Sequence, residues 1–296
     1  MKISYSKSFY SQLCRRVAVL ESFEFVRVGS AGTSVGGREL QYAHIGGDDC
    51  VLLLAGTHPL EYLTTFLLLG WFWQLCGAID AGRKFCGFDA AQSFKRKGLT
   101  ALFCHNPDGC EIAFGNGALG PDDRAALQNI CHGDARLFNC NLNGVDLNHN
   151  FDAGWEQMRK METAAGINGP SPRRYGGTSP NSEPETRAVI SLCREFNPRH
   201  AVALHSAGEE IYYRYGDATP EGSEIMAHIL AISCGYRPVK NSGLASHAGF
   251  KDWFITQYGR PAFTIEAGQG ENPLPLSQLP DLLKRLTDTL MLAALM

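Results

Sequence analysis

The sequence predicts an α/β sandwich built on a largely parallel or mixed sheet. Three observations carry this prediction. Short apolar runs of strand length alternate along the chain with stretches of helical periodicity. The runs are almost continuously apolar, as strands buried on both faces must be. No linker, internal repeat or low-complexity tract breaks the alternation, so nothing divides the chain into two domains.

The elements follow in order. The N-terminal stretch MKISYSKSFYSQLCRRVAVLESF reads as an amphipathic helix; it lacks the apolar core and small-residue cleavage site of a signal peptide. EFVRVG (24–29) and ELQYAHIG (39–46) read as a pair of strands. VLLLAG (51–56), LTALFCHNP (99–107), HAVALHS (200–206) and PAFTIEAG (261–268) are four more. Helices are expected at 62–78, 183–196, 222–234 and 277–295. The window 60–79 has membrane-like hydropathy, but it contains Glu61, Thr64, Thr65 and Gln74 and lacks basic flanks, so it is read as a buried core helix. Residues 106–184 differ: they are rich in Gly, Asn, Pro and Asp, with little periodicity. A structureless stretch of that length inside a compact domain is expected to be functional.

Composition excludes several classes. With 44% hydrophobic and 19% charged residues, the chain has the make-up of a folded globular protein rather than a disordered one. A net charge of −3 without a basic block argues against nucleic acid as a partner, and no membrane association is expected. None of the ten cysteines sits in a C-x-x-C pair, so they read as thiols of a reducing cytoplasm rather than a zinc cage or disulfide staples.

The strand ends carry the chemistry. The first of the four apolar strands stops at Gly-Thr-His58, with Glu61 in the first turn of the helix that follows; the second stops at His105-Asn106-Pro107-Asp108-Gly109; the third at His205-Ser206; the fourth carries Glu266. Sites in open α/β sheets gather beyond the carboxyl ends of strands. His58, Glu61 and His205 make a three-ligand zinc set that leaves one position open, as catalytic zinc requires, and nitrogen with carboxylate suits zinc better than magnesium or calcium. Zinc lowers the pKa of a water to about 7, ready to attack a carbonyl. Glu266, an acid in the apolar strand FTIEAG, is the candidate general base that returns the proton to the leaving amine. His105 adjoins NPDG and is read as a structural hydrogen-bonding residue; His44, His132, His200 and His228 receive no role.

THPLE, NPDG, GVDLNHNF, HS and TIEAG, in this order and spacing, resemble the carboxypeptidase A-like zinc metallopeptidases, from GTSVGGRELQYAHIG (32–46) to GQGENPLP (268–275). GVDLNHNFDAGWE, RYGGTSPNSEPET and GFKDWFITQYGRPAFTIEAGQGENPLP resemble most the bacterial γ-D-glutamyl-diamino acid peptidases. The resemblance implies a single-domain three-layer sandwich over residues 1–296, with a mixed, mostly parallel sheet flanked by helices and residues 1–31 packing on it as helix and strand. It implies one zinc per chain on His58, Glu61 and His205, Glu266 as general base, and Asn148 in the substrate pocket.

Three departures stand out. Where carboxypeptidases follow that Asn with an Arg that clamps the α-carboxylate, this chain has His149, which lacks a permanent charge and a bidentate fork. The family's closing tyrosine falls at Leu244, and nearby His247 is the candidate to replace it. The carbonyl-polarising Arg has no match: Asn143 stands where the diamino-acid branch has one, and Arg124 and Arg136 are the candidates in its region. Arg173 and Arg174, in GPSPRRYGG, are candidates to meet the carboxylates of a diaminopimelate peptide, and Ser182 is a candidate N-cap for the helix after them. The leading expectation is zinc-dependent hydrolysis of the amide between γ-D-glutamate and a diamino acid in muropeptides, in the cytoplasm. A zinc carboxypeptidase or N-acyl amino acid deacylase, and a weakly active muropeptide-binding protein, are the competing readings. Oligomeric state is not legible.

Overall fold

Val51 and Leu53 face one way from their strand and Leu52 and Leu54 the other, and both sides meet a buried apolar layer. The same alternation holds at Val202 and Leu204 against Ala201 and Ala203. This two-sided burial explains the unbroken apolar runs. The computed structural model describes residues 3–115, 119–240 and 247–296.

The strands are β1 (Val26–Thr33), β2 (Glu39–Gly46), β3 (Asp49–Leu54), the small hairpin β4 (Lys84–Phe85) and β5 (Phe88–Asp89), β6 (Lys97–Leu102), β7 (His200–His205), β8 (Glu210–Tyr212), β9 (Arg237–Val239) and β10 (Ala262–Glu266). Among the described residues, eight of them form one sheet in the order β1-β2-β6-β3-β7-β10-β8-β9. The central strands β6, β3, β7 and β10 run parallel; β1 with β2, β2 with β6, and β8 with β10 pair antiparallel. The sheet is therefore mixed around a parallel centre.

The helices are α1 (Phe9–Leu20), α2 (Leu63–Asp80), α3 (Ala90–Ser93), α4 (Pro107–Phe114), α5 (Pro121–Cys131), α6 (Trp155–Ala164), α7 (Pro184–Phe196), α8 (Ser223–Cys234), α9 (Phe250–Tyr258) and α10 (Leu279–Leu295). α1, α2, α8 and α10 share one apolar layer, and α7 and α9 cover the other face. α1 buries Phe9, Leu13, Val17 and Leu20, a helical stripe, and Ser8 caps it by accepting the Ser11 N–H at 3.1 Å. The helical stretch Pro59–Asp80, which contains α2, is apolar and long enough to cross a membrane by composition, yet 78% of its most apolar window is buried within the fold.

Two sequence expectations need correction. Residues 106–184 are not structureless: α4, α5 and α6 lie there. α4 begins with Pro107 in its first turn and the Asn106 side chain accepting the Gly109 N–H at 3.0 Å, so NPDG is a helix start. Nor is Ser182 the cap of α7. Glu183 holds that position without a side-chain cap, while Ser182 Oγ donates to Glu183 Oε1 at 2.7 Å. Behind it, Glu185 is fully buried and accepts the Val35 N–H at 3.0 Å and Asn141 Nδ2 at 3.1 Å.

Candidate active site

The chain leaves β3 through Gly56, whose φ of +66° is the left-handed region, and a Cβ there would lie 2.5 Å from Thr65 Oγ1 and 2.9 Å from Cys104 Sγ. The tight corner brings His58 to the start of a single helical turn, Pro59–Glu61. His205 closes β7 and Glu266 closes β10.

His58, Glu61 and His205 converge, with one ligand atom from each lying within 4.8 Å of the others. His58 Nδ1 is 2.8 Å from Glu61 Oε1, His205 Nδ1 is 3.0 Å from Glu61 Oε2, and the two Nδ1 atoms are 3.2 Å apart. Two imidazole nitrogens aimed at each other cannot both present protons, and a carboxylate touches both. That donor set fits one zinc-sized cation with room for a further ligand. The Ser206 N–H holds Glu61 Oε2 at 3.1 Å.

Behind the trio lies Asp146. Its Oδ1 is 3.2 Å from His58 Nε2 and accepts the Asn148 N–H at 3.0 Å; its Oδ2 accepts the Arg174 N–H at 3.0 Å. A carboxylate on the outer nitrogen fixes the tautomer and ring orientation of a ligating histidine.

The charges are interdependent. Burial would raise the Glu61 carboxyl, but His58 and His205 outweigh it and hold it at about 2. Burial opposes charge on His58, yet Glu61 and Asp146 lift it well above the usual histidine range. Burial likewise opposes charge on Asp146, and His149 and His58 overcome it, holding that carboxyl well below its usual range. Burial drives Glu266 well above the usual carboxylate range, and the negative charge of Glu61 adds to it. His105 is buried, meets Thr57 Oγ1 at 3.3 Å, and is pushed by burial to about 3. It is a neutral structural residue, as its place beside NPDG suggests.

A cleft of about 600 Å³ gathers the trio, Glu266, Asn148, His149, Arg173, Arg174 and His247. Asn148 Oδ1 accepts the Phe250 N–H at 3.1 Å, which ties the cleft wall to the start of α9. His247 Nδ1 lies 3.3 Å from the Tyr215 hydroxyl. Arg173 and Arg174 are exposed on the cleft wall, and neither forms an ion pair among the described residues. His149 differs from expectation: burial opposes its charge, but Asp146 and Glu162 raise its pKa, so it is a better cation than a bare histidine.

Arg124 and Arg136 do not belong to the cleft. Arg124 sits on α5 and donates to the Leu119 carbonyl; Arg136 pairs with Asp134 at 2.7 Å in an exposed ion pair. Each is bound to a near neighbour in the chain, and neither lines the cleft. Asn143 Nδ2 is bound to Glu183 Oε2 at 2.8 Å. Leu244 lies outside the described residues.

The structure adds residues that the sequence reading passed over. Asp146 was visible as the acid of GVDLNHN. Lys251, almost fully buried, lines the cleft and donates to the Arg214 carbonyl at 2.8 Å and to Asp252. Tyr212, which faces Thr264 across β8 and β10, lines it too and donates to Glu210 Oε2 at 2.6 Å.

A family model described as zinc carboxypeptidase matches residues 18–288. The gamma-D-glutamyl-L-diamino acid endopeptidase 1 of Lysinibacillus sphaericus is 31% identical over 277 residues, covering 91% of this chain and 67% of that protein. The Bacillus subtilis protein YqgT is 33% identical over 267 residues, covering 88% of this chain and 69% of that one. Among solved structures, thrombin activatable fibrinolysis inhibitor superposes with a TM-score of 0.75 at 18% identity, over 96% of this chain and 73% of that one. That last likeness concerns the fold alone.

Proposed function

The chain belongs to the zinc carboxypeptidase family, and from that premise we propose that it hydrolyses the amide between γ-D-glutamate and a diamino acid, meso-diaminopimelate or L-lysine, in cell-wall peptides. The observation that carries this reading is the content of one cleft: a metal-capable trio and Glu266 together with the basic side chains His149, Arg173 and Arg174. A γ-D-glutamyl linkage leaves the glutamate's own α-carboxylate free beside the scissile amide, and diaminopimelate adds a second carboxylate and an amine. Those groups match the basic residues. The name of the Lysinibacillus relative supports the same bond.

In this proposal His58, Glu61 and His205 hold zinc, one per chain, and Asp146 orients His58. When bound, zinc supplies Lewis acidity and an activated water. Glu266 takes the proton and delivers it to the departing amine; its raised affinity for a proton suits a group that must carry one. Asn148, His149, Arg173 and Arg174 hold the substrate, with His247 at the same cleft. A cytoplasmic location is part of the proposal: all ten cysteines are free, as a reducing compartment keeps them, and cell fractionation checks it.

One observation favours a second reading. His149, held as a cation better than its type suggests, can grip a free C-terminal α-carboxylate, as a carboxypeptidase needs. A digest of L-Ala-γ-D-Glu-diaminopimelate, its L-lysine analogue and hippuryl-phenylalanine, with products weighed by mass spectrometry, separates the two. We expect cleavage of the γ-linked peptides and little action on hippuryl-phenylalanine; the reverse pattern establishes the carboxypeptidase instead.

A further inference from the structure

His149 lies at the end of the short turn Leu147–His149 and lines the cleft. Its Nδ1 is 2.9 Å from Glu162 Oε1 and 3.0 Å from the Arg174 carbonyl. Both neighbours are acceptors, so Nδ1 carries a proton. The other nitrogen, Nε2, at the far edge of the ring, has no protein partner among the described residues. Glu162 is 1% exposed, and its second oxygen accepts the Gly176 N–H at 3.1 Å and the Arg159 guanidinium. Arg159 is itself held over the Tyr175 ring, 4.7 Å from its centroid. A Cβ on Gly176 would lie 2.6 Å from the His149 carbonyl oxygen and 3.2 Å from Glu162 Oε1, so only glycine lets this loop close on the pair.

A buried carboxylate fastened by an arginine and a main-chain N–H, and turned toward a single atom of the cleft wall, has no task in the hydrolytic step. We infer that Glu162 is a positioning residue that keeps His149 doubly protonated and oriented, so that its Nε2–H binds a carboxylate of the substrate. This rests on the reading that the cleft takes a carboxylate-bearing peptide. Glu162 supplies by tertiary contact part of what an arginine carries by its own chemistry, a lasting charge with a fixed direction. The charged groups around the ring are Asp146 on its own turn, Glu162 and Arg159 on α6, and Arg173 and Arg174 on the adjoining loop. Both carboxylates favour the cation, and burial opposes it.

The test uses the zinc-loaded protein. With ¹³Cε1-labelled histidine, NMR follows the His149 ring against pH; its signal is identified by its loss in His149→Gln. The midpoint is expected above about 6.5 in the wild type and at least about one unit lower in Glu162→Gln. Glutarate, as a carboxylate probe at pH 7.5, is expected to shift the His149 signal, and to require about tenfold more in Glu162→Gln. On the γ-D-glutamyl tripeptide, KM of Glu162→Gln is expected to rise about tenfold at pH 8 with kcat little changed, and the gap to close toward pH 6. The double variant E162Q/H149R is expected to recover KM at pH 8, because a guanidinium needs no such support. A wild-type midpoint at or below about 6.5 overturns the proposal without any variant. So does an unchanged midpoint in Glu162→Gln, or a loss of activity that is uniform with pH. A shifted midpoint and glutarate response with no cleavage of the tripeptide supports the role of Glu162 and removes the proposed substrate instead.

Discussion

His205 and Glu266 are register partners on the parallel strands β7 and β10. Their side chains therefore leave the sheet on the same side, directly after the buried pair Leu204 and Ile265. A metal-capable imidazole and a carboxyl with raised proton affinity are spaced by main-chain hydrogen bonds, not by loops.

That spacing makes Glu266→Gln a clean test. The amide matches the carboxyl in shape but cannot shuttle a proton. We expect kcat to fall by at least on the order of 10²-fold, with zinc content and Tm unchanged. Turnover near that of the wild type moves the general base elsewhere.

Removing a donor from the trio has a different signature. His58→Ala and His205→Ala are expected to lose most of their zinc by elemental analysis. Asp146→Asn is expected to keep the fold but bind zinc about 10–100-fold more weakly, because a neutral amide is a weaker acceptor for His58 than the carboxylate, and its NH2 must face one of the main-chain N–H groups that the carboxylate accepts. Full zinc retention in both histidine variants sinks the ligand assignment.

Gly56→Ala tests the corner before His58. The new methyl meets Thr65 Oγ1 and Cys104 Sγ in a left-handed conformation. We expect a loss of about 1–3 kcal/mol in urea unfolding, and weaker zinc binding as His58 shifts. Stability within about 0.5 kcal/mol of wild type refutes it.

Glu185, outside the metal-capable trio, supplies a pH dependence of its own. Burial lifts its carboxyl to about 7, whereas in the unfolded chain it titrates near about 4.3. The folded state thus binds a proton that the unfolded state has released. The stability this contributes is fully present below about 4.3 and is lost as pH climbs through about 7. Between pH 5 and 8, wild type is expected to lose on the order of 1–3 kcal/mol more than Glu185→Gln. Parallel pH profiles of the two proteins contradict this.

Much of this architecture was legible in the residues. The four central strands announced themselves because burial on both faces leaves no polar alternation, and their ends displayed His58, His205 and Glu266 with little ambiguity. The segment 106–184 was harder. α4, α5 and α6 are 8, 11 and 10 residues long among Gly, Asn and Pro, too short for periodicity to stand out. Arg124 and Arg136 were misplaced because which arginine reaches a cleft depends on the path of a long connection. Glu162, in MRKMETA, looks like any surface acid of a helix. Only the fold sets it against His149, thirteen positions earlier, where its carboxylate joins Asp146 in favouring the charged ring.

Asp146 is the joint between two unequal parts. On one side stand sheet-borne groups whose positions are fixed by strand pairing; on the other, Asn148, His149, Arg173 and Arg174 ride on connecting segments fastened to Asp146 through main-chain N–H groups. Chemistry and selectivity can therefore diverge at different speeds. On the proposed reading, exchange of the side chains at 148, 149, 173 and 174 is expected to alter what is admitted without disturbing the sheet-borne groups. A library confined to those positions, with Asp146, Glu162 and Gly176 held constant, is the natural route to new preferences on an unchanged hydrolytic frame.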